Sequence, residues 1–205
     1  MYQFVETIQL KNGKPMLIDL HQQRLERTFN FFKEKNILCI KIIINNYIEK
    51  QDISINDTYK LRFLYNLDAN YSIQITPYQT PKIEQFSLIE DNDIEYSFKS
   101  TDRIIFDRLK SRAIGEIIIV KNGFVTDTSF SNVIFLKDNI WYTPKTYLFN
   151  GVQRQHLIAS NQIQEADIKA SDIKSYSHIK IINALNPIDN SCTYPIDKIT
   201  NASYY

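Results

Sequence analysis

FVTDTSFSNVIFLKDNIWYTPKTYLFNGVQR, residues 124–154, is the stretch from which the organisation of the chain is most easily read. It contains a short strand pattern, a polar loop from Asp127 to Asn132, and a hairpin pattern with Asp138-Asn139 at its tip. Asn150-Gly151 then precedes a helical pattern. A carboxylate, a hydroxyl-rich loop and a glycine before a helix therefore lie close together in sequence. This combination suits a bound cofactor that carries both a basic ring nitrogen and a phosphate.

The composition is that of a globular protein without a strong charge bias. The 205 residues, 43% of them hydrophobic, are enough for one domain or two small ones. A net charge of +1 gives no electrostatic case for nucleic acid or an anionic membrane. Apolar runs such as Ile117–Val120 are too short to cross a bilayer, and the N-terminus lacks the pattern of a signal peptide. Cys39 and Cys192 lack metal-ligand spacing and predict reduced thiols in a cytoplasmic protein.

The first part of the chain predicts strands and helices up to a proline-bounded linker. A helix is expected through Leu25 and Phe29, with Asp19 as its N-cap. The isoleucines of the next helix also suit a strand. PYQTP, from Pro77 to Pro81, is the best candidate linker. The expected second helix is Cys39–Lys50. The expected strands are Phe4–Leu10, Lys14–Ile18 (which pairs back across Asn12-Gly13), Tyr59–Asn66 and Tyr71–Thr76.

The remainder of the chain predicts many short strands and few helices, which indicates a barrel-like unit. A strand is expected at Glu95–Lys99, and Ser100 or Thr101 is expected to cap a helix through Leu109. A helix is expected at Val152–Ser160. The other expected strands are Glu116–Val120, Phe124–Thr126, Asn132–Leu136, Ile140–Thr143, Gln162–Ile168, His178–Ile182 and the region Cys192–Ile196.

Four segments resemble the class IV (fold type IV) family of pyridoxal-phosphate enzymes. VTDTSFSN is similar to the V-T-E-x-x-x-S-N loop of that family, and YTPKTYLFNGVQR to its T-P-x-x-x-x-L-x-G-x-x-R segment. SFKSTDR resembles the family's lysine segment, and INALNPI the N-A-L-x-P-V segment of its aminodeoxychorismate lyases. The resemblance implies pyridoxal 5'-phosphate as cofactor and a small-molecule amine as substrate. It also implies a homodimer in which the partner subunit helps to close the pocket.

Lys99 is the residue to which the resemblance assigns catalysis, as Schiff-base lysine and proton carrier. A lysine between a strand and a helix is ordinarily a surface residue. A Schiff-base lysine must instead be partly buried, so that its amine is neutral and nucleophilic. Tyr96, Phe98 and Ile104 can supply such surroundings. Asp102 stands where the family commonly has asparagine.

Asp127 matches the family glutamate that faces the ring nitrogen of the cofactor. Pyridoxal phosphate stabilises a carbanion by drawing electrons into its ring, and a carboxylate at the ring nitrogen favours the protonated form. Because aspartate is one methylene shorter, the resemblance implies an inward shift of the loop or a contact through water. The ordinary alternative is a loop aspartate that makes its own turn hydrogen bonds.

The cofactor phosphate has two candidate binding regions. After Gly151, the first N–H groups of a helix, at Val152 and Gln153, attract anions. The family has G-I-T-R where this chain has G-V-Q-R, so Gln153 offers an amide donor or only its backbone. HQQRL resembles the family's H-x-x-R-L, which implies that Arg24 binds the phosphate; without the resemblance, a solvated arginine is the expectation.

The resemblance also implies roles for Phe149, Asn183 and Ala184, and it bears on His21 and Glu6. Asn183 and Ala184 match a phosphate contact, and Phe149 matches the apolar residue that packs on the cofactor ring. An ordinary core aromatic is an equal alternative for Phe149. His21 is expected to pack or cap rather than to catalyse. Glu6 stands where aminotransferases of the family carry glutamate and its typical lyases carry threonine.

The expected architecture is α+β with two small domains. Residues 1–80 form an antiparallel sheet with helices, and residues 81–205 form a barrel-like domain that carries Lys99 and Asp127, as in D-amino acid aminotransferases. The cofactor is expected in the crevice between the domains. The resemblance implies that the chain is shortened at its N-terminus relative to most of the family, so we expect part of one pocket wall to be missing or supplied otherwise.

Three functions stay open at this point. The first is a 4-amino-4-deoxychorismate lyase that produces 4-aminobenzoate and pyruvate for folate biosynthesis. The second is an aminotransferase for D- or branched-chain amino acids, which needs a keto-acid acceptor. The third is a shortened homologue that binds pyridoxal phosphate without turnover.

Overall fold

The structure is a computed structural model that describes residues 3–35, 37–54 and 56–201. It divides into two compact units, Met1–Thr80 with Phe98–Asp102, and Pro81–Ser97 with Arg103–Tyr205. The short segment that contains Lys99 therefore belongs to the first unit, although the chain on both sides belongs to the second. The division into domains at residues 1–80 and 81–205 stays a prediction.

In the part that the structure describes, the first unit consists of one antiparallel sheet and two helices. In chain order its elements are β1 (Phe4–Lys11), β2 (Lys14–Pro15), α1 (Ile18–Phe31), α2 (Ile40–Ile48), β3 (Thr58–Tyr65) and β4 (Tyr71–Pro77). The strands lie in the order β2-β1-β3-β4, and every neighbouring pair is antiparallel. Asn12 and Gly13 both have the positive φ of a tight hairpin turn, which confirms the predicted β1–β2 hairpin.

A single hydrophobic cluster joins the helices of this unit to its sheet. Leu25 and Phe29 lie four residues apart on α1, so they face the same side of the helix, and both are fully buried. They pack in one cluster with Ile44 of α2 and with Ile8 and Phe63 of the sheet. This packing fixes the face of α1 that carries His21 and Arg24, which are also buried.

Asp19 does not cap α1, contrary to the sequence-based expectation. The helix begins after Leu17, which adopts a left-handed conformation at φ 53° and makes no side-chain cap. Asp19 lies in the first turn, where its charge complements the helix dipole, and pairs with Lys41 at 2.5 Å. The sharp turn out of β2 therefore determines the start of the helix.

The second unit is built on a larger mixed sheet. Its elements are β5 (Phe86–Glu90), α3 (Ile104–Lys110), β6 (Glu116–Lys121), β7 (Phe124–Thr128), β8 (Asn132–Lys137), β9 (Ile140–Pro144), α4 (Val152–Ala159), β10 (Gln164–Ala166), β11 (His178–Ile182), β12 (Tyr194–Pro195) and β13 (Ile199–Asn201), with 3₁₀ turns at Ala170–Ser175 and Ile196–Lys198. The main order is β10-β9-β8-β7-β6-β5-β13, and β11 pairs with β8 and β12. β5 is parallel to β6 and β13, and β9 to β10. The two sheets confirm the α+β class.

Two expectations around Lys99 are wrong. Glu95–Lys99 does not form a strand. Among the described residues, the backbone here pairs with β1 at an isolated bridge between Ser100 and Phe4, and the Phe98 ring packs against Phe32. The cap expected at Ser100 or Thr101 is also wrong, since both hydroxyls donate to the Gln3 carbonyl and α3 begins after Arg103.

Two further differences concern strands. The strand expected over Gln162–Ile168 is confined to Gln164–Ala166, where it pairs with β9. β5, with the sequence FSLIE, was not expected. It pairs in parallel with both β6 and β13. None of the helices within the described residues has the length and hydrophobicity needed to span a membrane.

Candidate active site

Asp127 lies near the end of β7 and is 5% exposed. Its Oδ2 accepts hydrogen bonds from the backbone N–H groups of Leu148 and Phe149, both at 2.9 Å. Its Oδ1 accepts a hydrogen bond from Asn132 Nδ2 at 2.7 Å. A carboxylate has about four lone-pair positions, so three donors leave room for one more partner.

Burial raises the pKa of Asp127 to about 6, although the hydrogen bonds from Phe149, Asn132 and Leu148 and the charge of Arg154 act against this rise. The carboxylate is therefore ionised at neutral pH with less stabilisation than it would have in water. A cationic N–H placed beside it would lower its pKa again and would be favoured in turn.

Asn132 and Gly151 are packed together in a way that fixes the site around Asp127. Asn132 is the strand partner of Asp127, and its Nδ2 also donates to the Phe149 carbonyl at 2.8 Å. A β-carbon at Gly151 would overlap with Asn132 Oδ1. Since φ of Gly151 is −64°, which any residue can adopt, this close approach is what requires glycine.

The N-terminus of α4 has the character of an anion site. Gly151 is its N-cap residue and supplies no side chain to its first N–H groups. Val152 and Gln153, the residues expected from the sequence, form the first turn and are both buried. A buried helix start without a side-chain cap favours an external acceptor such as a phosphate oxygen.

The side chain of Asn183 forms hydrogen bonds to other residues of the second unit. Its Nδ2 donates to Ser131 Oγ at 2.7 Å, and its Oδ1 accepts from the backbone of Leu185 and Asn186. These bonds tie the turn after β11 to the loop between β7 and β8. The half-buried Ala184 lies within that turn.

Phe149 is half-buried rather than a core residue. Its ring meets Tyr96 edge to face, with ring centroids 5.9 Å apart. Tyr96 in turn meets Phe106 at 4.7 Å. Phe149 therefore contributes both an aromatic side chain and a backbone N–H that donates to Asp127.

In the first unit, Arg24 is not a solvated surface residue. Its Nε donates to both carboxylate oxygens of Glu6, at 2.9 and 3.1 Å, and its Nη2 also donates to Glu6 Oε2. The Glu6 side chain is fully buried and the Arg24 side chain is 8% exposed. Glu6 thus holds one edge of the guanidinium in a fixed orientation.

His21 completes this buried cluster as a neutral residue. Its Nδ1 lies 2.6 Å from Glu6 Oε2. Burial alone would raise the pKa of Glu6, but the charge of Arg24 and the hydrogen bond to His21 lower it to about 2. Since an ionised carboxylate only accepts, Nδ1 carries the proton. Burial lowers the pKa of His21, so its Nε2 keeps a lone pair, and within the described residues this atom has no hydrogen-bond partner.

Lys99 is half-buried and belongs to the same unit as Arg24. Its carbonyl accepts a hydrogen bond from Val5 N at 3.0 Å, next to Glu6 on β1. Its positive charge contributes to the lowered pKa of His21, after burial and together with Arg24. The first unit therefore groups Lys99, His21, Arg24 and Glu6.

The predicted site residues thus fall into two groups. Lys99 and Arg24 lie in the first unit, and the second unit holds Asp127, Phe149, Val152, Gln153, Asn183 and Ala184. The sequence assigned no role to Asn132, although the polar loop of the VTDTSFSN motif ends at this residue. The described part of the chain contains no group of three or more histidine, cysteine or acidic side chains arranged to hold a metal ion.

Comparison with known proteins gives matches over most of the chain. A family model described as amino-transferase class IV matches residues 3–189. An uncharacterized protein from Haemophilus influenzae is 39% identical over 189 residues, which are 91% of this chain and 99% of that protein. A protein from Schizosaccharomyces pombe named "Putative aminodeoxychorismate lyase" is 26% identical over 201 residues, with 87% of this chain and 84% of that protein covered.

Solved structures share the fold. A crystal structure from Haemophilus somnus, described as a putative 4-amino-4-deoxychorismate lyase, has a TM-score of 0.81 and 30% identity, and the match covers 92% of this chain and 98% of that one. A hypothetical aminotransferase from Mycobacterium tuberculosis in a PLP-bound form has a TM-score of 0.73 and 12% identity, over 100% of this chain and 83% of that one. The second match supports the fold alone.

Proposed function

Because the chain belongs to the class IV aminotransferase family, we propose that it is a 4-amino-4-deoxychorismate lyase that releases 4-aminobenzoate and pyruvate. The family depends on pyridoxal phosphate, so the chain is a pyridoxal-phosphate-dependent lyase or transaminase. The observation that carries the choice of cofactor is the buried Asp127 carboxylate, held by three N–H donors in the unit that also contains the uncapped start of α4.

The residues present in the second unit fit this cofactor. Asp127 offers a carboxylate for a protonated ring nitrogen, and we propose that the half-buried Phe149, whose N–H donates to that carboxylate, packs on the cofactor ring. Gly151 leaves the α4 N-terminus free of a side chain that would cap it, which suits a phosphate. We propose that Val152 and Gln153 bind the phosphate through their N–H groups, and that the turn of Asn183 and Ala184 adds a contact.

The first unit supplies a lysine and a cationic group. Pyridoxal phosphate, when bound, supplies an electron sink for the carbon next to the substrate amine. We propose that Lys99 would hold the cofactor through Nζ, and that this amine, once the substrate amine has taken its place, would take the proton from that substrate carbon. Arg24, whose guanidinium Glu6 orients, would bind the phosphate. Glu6 and His21 orient Arg24 and stay buried.

Two features support the lyase over the transaminase. The Haemophilus somnus structure, 30% identical, and the Schizosaccharomyces pombe relative, 26% identical, both carry lyase names. The INALNPI segment is also closer to the lyase form of that motif. The same proposal implies a role in folate biosynthesis, a cytoplasmic location and a homodimer.

One observation favours the second candidate, a class IV aminotransferase for D- or branched-chain amino acids. Glu6 is fully buried and paired with Arg24 at the position where the family's typical lyases carry threonine. A carboxylate with a pKa of about 2 cannot donate a proton at neutral pH, and it replaces a hydroxyl that could. A lyase with Glu6 must therefore obtain any proton for its product from another group.

The test supplies aminodeoxychorismate, generated by a coupled synthase, to the purified protein without a keto acid. We expect pyruvate and 4-aminobenzoate in equal amounts and, after each turnover, the original visible spectrum of the bound cofactor. Lys99→Ala is the inactive control. Absence of pyruvate, together with conversion of the cofactor to its pyridoxamine form by a D- or branched-chain amino acid, would establish the transaminase. Bound cofactor without either reaction would establish a homologue without turnover.

A further inference from the structure

The turn between β7 and β8 brings Asp127 and Asn132 together. Thr128 N donates to the Ser131 carbonyl at 2.8 Å, and Ser131 N donates to Thr128 Oγ1 at 3.0 Å. The register of the two strands then places Asp127 opposite Asn132. The geometry of the carboxylate and its amide partner therefore depends on where this turn is held.

Ser129, at the outer side of the turn, is fixed at all three of its polar atoms. Its N–H donates to Glu116 Oε1 at 2.9 Å and its Oγ–H donates to the same oxygen at 2.5 Å. Its carbonyl accepts from Arg103 Nη2. Ser129 is itself buried, so these partners replace water completely.

Glu116 is held in turn by the way in which β6 begins. It is the first residue of β6, 4% exposed, and its N–H donates to the Gln85 carbonyl at 3.0 Å. Gly115 has φ +78°, and a β-carbon there would overlap with the Gln85 carbonyl, so only glycine allows this approach. Lys110 Nζ lies 3.1 Å from Glu116 Oε2 and partly balances its charge.

Arg103 connects the turn to the aromatic residues beside Phe149. Its guanidinium carbon lies 3.9 Å from the centre of the Phe106 ring and 5.3 Å from that of Tyr96. Tyr96 contacts Phe149, whose N–H donates to Asp127. Asp127 is thus connected to Ser129 indirectly, through Phe149, Tyr96 and Arg103.

We propose that Glu116 is a positioning residue for the cofactor site, which acts by holding Ser129 and thereby the Asp127–Asn132 pair. This inference rests on the proposed function, because it takes Asp127 as the partner of the cofactor ring. Glu116 itself touches neither cofactor nor substrate. Glu116 acts through the position of its acceptor oxygen more than through its charge, because the N–H and the Oγ–H of Ser129 both donate to Oε1.

The experiment compares two substitutions of Glu116 by titration with pyridoxal phosphate. Glu116→Ala removes the acceptor, and we expect the dissociation constant to rise about tenfold. Glu116→Gln keeps an acceptor oxygen for Ser129 and should bind within about twofold of the wild type. Glu95→Ala is the matched control, since its side chain is 78% exposed and pairs with Lys121 in the same unit.

Thermal unfolding of the cofactor-free variants and visible circular dichroism of the bound cofactor complete the test. A purely structural role would lower the unfolding temperature while leaving the affinity of the folded protein unchanged. We expect the dichroism per bound cofactor to fall in Glu116→Ala alone. Should that variant not fold, Ser129→Ala removes one of the two donors, and we expect a smaller loss of affinity in the same direction.

Unchanged affinity in Glu116→Ala, or in Ser129→Ala where the first variant does not fold, overturns the proposal. Equal losses in Glu116→Ala and Glu116→Gln also overturn it, because they would make the charge and not the acceptor the source of the effect. A wild-type protein and Glu95→Ala control that both bind no pyridoxal phosphate would instead overturn the proposed function, and the inference with it.

Discussion

Asn132 and Gly151 approach each other so closely that a β-carbon at residue 151 would occupy the space of Asn132 Oδ1. The same Asn132 amide donates to Asp127 and to the Phe149 carbonyl. The glycine before α4 therefore has two roles: it leaves the helix start uncapped, and it makes room for the side chain that orients the buried carboxylate.

Gly151→Ala should displace Asn132 and weaken its bonds to Asp127 and Phe149. A hydrogen bond to a charged group is worth about 1.5–3 kcal/mol, so we expect a loss of free energy of unfolding in that range. We also expect weaker binding of pyridoxal phosphate. Urea denaturation and cofactor titration measure the two effects.

Gly123→Ala is the matched control for this substitution. Gly123 has φ +78° and open space around its Cα, so alanine there costs about 1–2 kcal/mol of backbone strain without touching the site. We expect similar destabilisation but unchanged cofactor affinity. In an Asn132→Ala background, Gly151→Ala should cost little more, because its clash partner is gone. Full additivity of the two substitutions would contradict the packing relationship.

Asp127 should give the cofactor-free protein a distinctive dependence of stability on pH. Burial raises its pKa to about 6, above the ordinary 3.8, so the folded state binds more protons between those values. Its contribution to stability is therefore fully present below about pH 4 and lost as the pH rises through about 6.

Asp127→Asn removes this dependence. We expect the unfolding free energy of the wild type, relative to the variant, to decrease by on the order of 2 kcal/mol between pH 4 and pH 7. Urea denaturation of both proteins at the two pH values measures this difference. A difference that stays constant or grows with pH would show that the carboxylate is already stabilised as an anion.

Glu6 and Arg24 should be strongly coupled in stability. Removal of one partner from a buried ion pair costs about 3–5 kcal/mol, because the other charge stays buried. We expect such losses for Glu6→Gln and for Arg24→Met, and a loss well below their sum for the double variant. Chemical denaturation of the four proteins measures the coupling; additive losses would contradict it.

The same variants test whether Arg24 binds the cofactor phosphate. The Glu6→Gln variant keeps the Arg24 guanidinium, whereas the double variant Glu6→Gln with Arg24→Met lacks it. Neither variant has a carboxylate at residue 6 that would be buried without a partner. A charge-assisted bond to phosphate predicts at least about tenfold weaker pyridoxal phosphate binding in the double variant. Equal dissociation constants would assign Arg24 to structure alone.

Local patterns were enough to predict much of the fold. The predicted hairpin at Asn12-Gly13 agrees with the positive φ that both residues adopt. α4 and β11 follow from periodicity and flanking turn residues. β5 was missed because FSLIE lacks strict alternation, and its pairing with β6 and β13 is parallel and distant in sequence.

The contacts that build the site are mostly beyond such patterns. Glu6 and Arg24 are separated by 18 positions, and their pairing depends on how α1 packs on β1. Glu116 begins an apolar strand, where an isolated glutamate is ordinarily solvated, so nothing in the sequence indicated its bonds to Ser129. Lys99 and Asp127 were proposed as site residues through motif resemblance, since their residue types alone do not distinguish them from surface residues.

The central claim is that the chain holds pyridoxal phosphate through Lys99. Purified protein is saturated with the cofactor, treated with borohydride, digested and analysed by mass spectrometry, with Lys145→Ala as a control at an exposed lysine. We expect loss of the visible band and a phosphopyridoxyl mass on the peptide that contains Lys99, and no modification in Lys99→Ala. A modification on a different lysine, or a protein that gains neither band nor mass, would contradict the claim.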